Sequence, residues 1–154
     1  MPLSGICEPA ISLATMDDLP AILALQKLAF RSEAELYNDF SLPPLTQTLE
    51  SIAAEFPAKI FLKACLADVI VGSVRAFQKD STCYIERVVV HPDCQGRGIG
   101  TALMHALEAR FPDVRRYELF TGHRSERNLH LYRKLGYSVF KQQGMLVFME
   151  KLRA

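Results

Sequence analysis

The segment from Tyr84 to Phe111 limits the folds open to this chain more than any other. Ile85 and Val88 to Val90 are β-branched and suit a buried strand. His91-Pro92-Asp93 ends that strand, because proline cannot continue a central ladder. Gly96, Gly98 and Gly100 then cluster where a helix should begin, and Ile99, Ala102, Leu103, Ala106, Leu107 and Phe111 repeat at the spacing of one buried helical face. A glycine turn that opens a helix presents bare backbone N–H groups at the positive end of a helix dipole, which suits phosphate. It also reads as a tight strand-to-helix connection that needs positive φ.

Two phosphate fingerprints can be tested directly. The Gly-Lys-Ser/Thr ending of a P-loop is absent, and Thr101 stands where the dinucleotide fingerprint needs glycine. What is present is Gln95-x-x-Gly98-x-Gly100, directly after the Val-rich strand.

Around this segment the chain reads in order as follows. Glu8 to Ala14 suits a short strand, and Thr15 is placed to cap a helix that ends near Arg31. Ser32 to Thr46 is irregular. Its Glu33, Glu35 and Asp39 suit a cationic substrate or a solvated face, and Pro43-Pro44 breaks helix. A helix is expected from Leu45 to Phe56, then strands Lys59 to Leu66, Val69 to Gln78 and Cys83 to Val90. After the glycine-turn helix come a strand at Tyr117 to Thr121, a helix at Glu126 to Leu135 capped by Ser125, and a closing pair at Tyr137 to Phe140 and Met145 to Lys151. The order β-α-α-β-β-β-α-β-α-β-β argues for a mixed α/β fold with helices on both faces of the sheet.

Strand residues two apart share a face. Tyr84, Glu86, Val88 and Val90 are therefore expected on one side, and Ile85, Arg87 and Val89 on the other. A charge inside a central strand must be paired, solvated in a cleft or shifted in pKa. Glu86 reads either as a general base with access to water or as a structural ion pair with Arg75 on the preceding strand. A second polar block runs from Asn128 to Tyr137, where Tyr132 stands three residues from both Leu129 and Leu135 and reads equally as core. His91, His105, His123 and His130 are spread over different elements, and no G-x-S-x-G elbow occurs.

The Gln95-to-Gly100 loop, the element order and the Asn128–Tyr137 block together resemble the GNAT superfamily, the GCN5-related N-acetyltransferases, over nearly the whole chain. The resemblance implies one domain over residues 1–154, with a mostly antiparallel sheet of about seven strands and four helices on both faces. It implies acetyl-CoA as co-substrate, no metal, and transfer of acetyl to the primary amine of a small molecule by direct attack. In that reading Gln95, Gly96, Arg97, Gly98, Ile99, Gly100 and Thr101 hold the pyrophosphate. The main chain of Val88, Val89 and Val90 holds the pantetheine arm and thioester, and Asn128 hydrogen-bonds the coenzyme. Tyr132 protonates the departing thiolate. Glu86 is the first choice for the base and Tyr84 the second. Two other readings keep the same fold: a protein N-terminal or lysine acetyltransferase, and a noncatalytic acyl-CoA-binding module that needs neither Glu86 nor Tyr132.

Composition narrows the partners. The chain has 154 residues, 49% hydrophobic and 23% charged, with net charge +1, so no broad basic surface for nucleic acid is expected. Cys7, Cys65, Cys83 and Cys94 form no C-x-x-C pair and read as reduced thiols of a cytoplasmic protein. No signal-peptide pattern and no membrane-length apolar run are seen, so no membrane partner is expected. A homodimer is left open.

Overall fold

The largely apolar runs at Ile60–Leu66, Val69–Lys79 and Thr82–Val90, the last two rich in β-branched residues, form three consecutive antiparallel strands, β2, β3 and β4. They are the heart of a seven-stranded sheet in the computed structural model, which describes residues 8–153. Cys7 lies outside that range. Before β2 come β1 (Ala10–Leu13) and three helices, α1 (Leu19–Tyr37), α2 (Pro43–Thr46) and α3 (Leu49–Glu55). After β4 come α4 (Ile99–Ala109), β5 (Arg116–Gly122), α5 (Glu126–Lys134), β6 (Ser138–Gln143) and β7 (Leu146–Leu152). The spatial order is β1-β2-β3-β4-β5-β7-β6. Among the described residues only β4 and β5 run parallel, because α4 carries the chain back between them, whereas hairpins join the neighbours β2–β3, β3–β4 and β6–β7.

The mixed α/β architecture and the seven mostly antiparallel strands are those expected. Helices cover both faces. Ile99, Leu103, Met104 and Leu107 of α4 are fully buried against Val74, Ala76, Cys83, Ile85 and Tyr117. On the other face Leu19, Ile22 and Leu23 of α1 pack with Ile52 of α3 against Phe61.

The helices differ from expectation in three places. Among the described residues there are five rather than four, because Pro43-Pro44 starts a helical turn of its own; a first turn has no use for the N–H groups proline lacks. The first long helix continues past Arg31 to Tyr37, and Asn38 in the left-handed conformation (φ 49°) closes it. Of the acids in this stretch, Glu35 is exposed while Glu33 is half-buried and turns to Ser125, with Ala34 buried between them. At its start, Thr15 opens a separate 3-10 turn (Met16–Asp18), its N–H donating to Asp18 Oδ2 at 2.8 Å.

Two irregularities in β4 matter most. The first is a split. Strand β5 pairs with β4 only at Thr82, Cys83 and Tyr84, and beyond Tyr84 the two strands separate. The second is a bulge. Arg75 pairs with Glu86 and Ser73 with Val89, so two steps along β3 are matched by three along β4. Arg87, at φ 54°, sits at the bulge. The extra residue inverts the alternation and overturns the expected faces. Val88 and Val90 pack against the α4 core together with Cys83 and Ile85, no longer sharing a side with Glu86.

Candidate active site

A cavity of about 580 Å³ opens where β4 and β5 separate. Ile85, Glu86, Arg87 and Val88 line it from β4, and Leu119 to Gly122 line it from β5. Helix α5 contributes Asn128 and Tyr132. The end of α1, the α2 turn and the β6–β7 turn close the other side, with Phe30, Pro44 and Met145 among the apolar walls. On β4, backbone groups facing β5 beyond Tyr84 have no strand partner among the described residues. Unpaired backbone donors and acceptors must be satisfied by something else.

Glu86 reaches the cavity and is also ion-paired, though not as expected. Its Oε1 lies 2.5 Å from Lys59 Nζ, while Arg75, directly opposite it in the ladder, turns to Glu55. Arg75 is 2% exposed and fully engaged. Its Nε donates to Glu55 Oε1 at 2.8 Å, Nη1 to Gln26 Oε1 at 3.0 Å and Nη2 to Gln47 Oε1 at 2.9 Å. Gln26 in turn donates to the Pro44 carbonyl at 2.9 Å. This network ties α1, α2 and α3 to the sheet and thereby fixes the cavity's Pro43-Pro44 wall.

Tyr132 is 4% exposed, part of the core and part of the cavity lining at once. Burial, with the charge of Glu33 second, pushes its phenol above the ordinary range. Glu33 lines the cavity from α1 and accepts the hydroxyl of Ser125. Ser125 therefore does not cap α5 through its side chain, as the sequence suggested; its carbonyl accepts from Leu129 N at 3.0 Å instead. Asn128 Nδ2 donates to Thr121 Oγ1 at 3.2 Å, which fixes the amide across the cavity mouth. Tyr37 Oη accepts from Arg124 N at 2.8 Å and lies so close to Gly122 that a Cβ there would collide with it.

The glycine loop follows the Pro92–Cys94 turn. Gln95, Gly96, Arg97 and Gly98 are exposed. Gly96 (φ 79°) and Gly98 (φ 80°) take left-handed conformations and have open space where a Cβ would stand. An L side chain there costs roughly 1–2 kcal/mol. Ile99 and Thr101 anchor the first turn of α4, Ile99 fully buried and Thr101 half-buried. Loop and cavity are joined through α5: a Cβ on Gly100 would lie 3.2 Å from Leu131 Cδ2, and the next residue, Tyr132, lines the cavity.

Of the residues singled out in the sequence, Glu86, Val88, Asn128 and Tyr132 meet at one cavity. Val89 is buried and Val90 faces Gly100. Tyr84 does not join them. It stacks on Phe77 with ring centroids 5.2 Å apart and lies outside the lining. Glu33 reads in the sequence only as an acid that suits a cationic substrate or a solvated face, and Tyr37, Lys59 and Thr121 carry no site reading there. For Glu33 and Tyr37 the signal is the mixture of acid and aromatic residues after Arg31, which does not say where they point; Lys59 and Thr121 carry none.

Comparison with known proteins gives a consistent picture. The model of the acetyltransferase (GNAT) family matches residues 19–137. Among solved structures, PaiA N-acetyltransferase from Thermoplasma acidophilum, in complex with coenzyme A, superposes with a TM-score of 0.83 at 16% identity, over 94% of this chain and 99% of that one. The ribosomal-protein-S18-alanine N-acetyltransferase from Escherichia coli is similar with a TM-score of 0.76 at 16% identity, over 94% and 93%. The IAA acetyltransferase from Bacillus cereus is similar with a TM-score of 0.70 at 20% identity, over 94% and 99%. At these identities the likeness shows a shared fold.

Proposed function

Because this chain belongs to the acetyltransferase (GNAT) family, we propose that it transfers acetyl from acetyl-CoA to the primary amine of a small molecule, with Glu86 as base and Tyr132 as acid. The observation that carries this reading is the split between β4 and β5, which puts Glu86, Asn128 and Tyr132 around one cavity, lined by the same α5 helix that packs on Gly100.

The residues present fit the coenzyme. The left-handed glycines leave a bare backbone cradle at the start of α4, suited to the pyrophosphate through Gln95 to Thr101. The strand edge of β4 beyond Tyr84 offers main-chain partners at Val88 to Val90 for an amide-bearing arm. Bound there, acetyl-CoA supplies an activated acyl group. The protein's own part is proton management and placement. Aliphatic amines are protonated near pH 7, and Glu86 accepts the proton that makes the acceptor nucleophilic. Backbone N–H at the bulge, around Arg87 and Val88, stabilises developing negative charge on the acyl oxygen. Tyr132, kept protonated by burial, donates to the departing sulfur.

The S18-alanine enzyme among the structural neighbours acts, by its name, on a protein, so the assay includes a peptide acceptor. Thiol release from acetyl-CoA is followed with a panel of small amines and an alanine-started peptide. Turnover with the amines supports the proposal, and turnover with the peptide alone replaces the acceptor class. Tight coenzyme binding with no turnover on either favours the noncatalytic module.

A further inference from the structure

Glu86 and Arg87 are consecutive residues of one strand. In a regular strand they would point to opposite faces of the sheet. Here both line the same cavity, as do Ile85 and Val88, because it opens in the split alongside the strand, where the bulge at Arg87 turns the backbone. An arginine in the left-handed region is strained, and such strain persists only where the surroundings over-determine it. The charges of Glu86 and Glu55 favour the Arg87 cation, but among the described residues no carboxylate lies within ion-pair distance of it, and those nearby are bound elsewhere. Glu86 is held by Lys59 at 2.5 Å, Glu55 by Arg75 and Lys59, and Glu33 takes the Ser125 hydroxyl. The Nε of Arg87 is buried with no hydrogen-bond partner among the described residues. The cavity thus presents a carboxylate and an uncommitted guanidinium side by side, between apolar walls that include Phe30, Leu42, Phe120 and Leu146.

We propose that Arg87 binds the carboxylate of the acceptor, so that the substrate is an amino acid with an apolar side chain, its amine at Glu86 and its carboxylate at Arg87. Adjacent opposite charges complement a zwitterion, whose own charges are separated by one carbon. A planar guanidinium suits a carboxylate in particular, through paired N–H donors. The apolar walls take the side chain. This assignment rests on the acetyl-transfer reading above.

The test compares L-phenylalanine, L-leucine and L-methionine with their carboxamides, which keep size and amine but lose the negative charge. Thiol release gives kcat/KM. Calorimetry gives the affinity of N-acetyl-L-phenylalanine and of its amide for the protein saturated with coenzyme A. The free acid is expected to exceed the amide by tenfold or more in both measurements. R87Q brings that ratio to near one, and R87K retains part of it. An amide equal to or better than its acid in the wild-type protein overturns the proposal without any variant. So does an R87Q effect that falls equally on acid and amide, or one that falls on coenzyme affinity and leaves the ratio intact. Acid-over-amide binding that depends on Arg87, with no turnover on any amine, removes the acetyl-transfer reading and leaves the carboxylate site standing. Turnover with no preference for the acid does the reverse.

Discussion

Lys59 Nζ bridges two carboxylates, lying 2.5 Å from Glu86 Oε1 and 3.0 Å from Glu55 Oε1. Glu86 thus belongs to the ion-pair network that anchors α3 and to the cavity in the split sheet. The two roles separate by mutation. E86Q removes the base and should lower kcat/KM about 10²- to 10⁴-fold, with coenzyme affinity held within a few-fold. Wild-type turnover by E86Q would make Glu86 purely structural. K59M leaves two half-buried carboxylates without their shared cation and should destabilise the fold by about 1–3 kcal/mol in denaturant unfolding. In the K59M/E86Q double variant, part of that loss should return.

Tyr132 gives the second prediction. Its phenol is raised first by burial and then by the charge of Glu33. It therefore keeps its proton across the range where a neutral amine is available. Y132F should lower kcat about 10²- to 10⁴-fold while leaving the acceptor KM nearly unchanged. The wild-type kcat profile should show no alkaline fall from this group up to roughly pH 10. Unchanged kcat in Y132F, where chemistry limits the rate, removes the residue from the acid role.

The Glu55 carboxyl makes stability depend on acid. Burial alone would raise it, but the hydrogen bond from Lys59, the charge of Arg75 and the Gln47 amide together hold it below its ordinary value of 4.5. A folded-state pKa below the unfolded one contributes stability that is fully present above the unfolded pKa and is lost as pH falls through the folded one. Unfolding free energy should therefore decline as pH drops below about 4.5. E55Q, measured by urea unfolding across the same range, should be less stable at neutral pH and show a shallower decline. Parallel curves for the two proteins would count against this account.

Gly98 gives a prediction with little packing in it. Nothing lies within 4 Å of the Cβ it would carry, so G98A tests conformation alone. Stability should fall by roughly 1–2 kcal/mol. If the loop cradles the pyrophosphate, coenzyme affinity should fall tenfold or more, because the backbone N–H groups no longer converge. Wild-type affinity in G98A would move the phosphate elsewhere.

Much of the fold could be read in the sequence, because its signals are local. The Val-rich strand, the glycine turn and the apolar repeat after Ile99 are consecutive, and their periods differ. Asn128 and Tyr132 stand four apart on a helix and were expected together, and they do meet at one cavity. What could not be read depends on register. The bulge at Arg87 appears only as a mismatch between β3 and β4, and nothing in Ile85-Glu86-Arg87-Val88 announces it. The partner of Glu86 was misplaced for a similar reason. Arg75 is its neighbour in the ladder, but Gln26, Gln47 and Glu55 from three helices claim the guanidinium first.

The separation of β4 from β5 also changes what kind of strand β4 is. By position it is the middle of seven, yet beyond Tyr84 its β5 side is an edge. Its amides should then divide by hydrogen exchange within one strand: slow from Thr82 to Tyr84, and fast at the bulge around Arg87 and Val88, many times faster than amides of the neighbouring β3. A bound ligand that supplies the missing partners would slow that second group selectively. Free edges also invite foreign strands. Here the edge is recessed between α1 and α5, so the protein keeps an unfinished sheet in its interior, out of reach of another protein's strand.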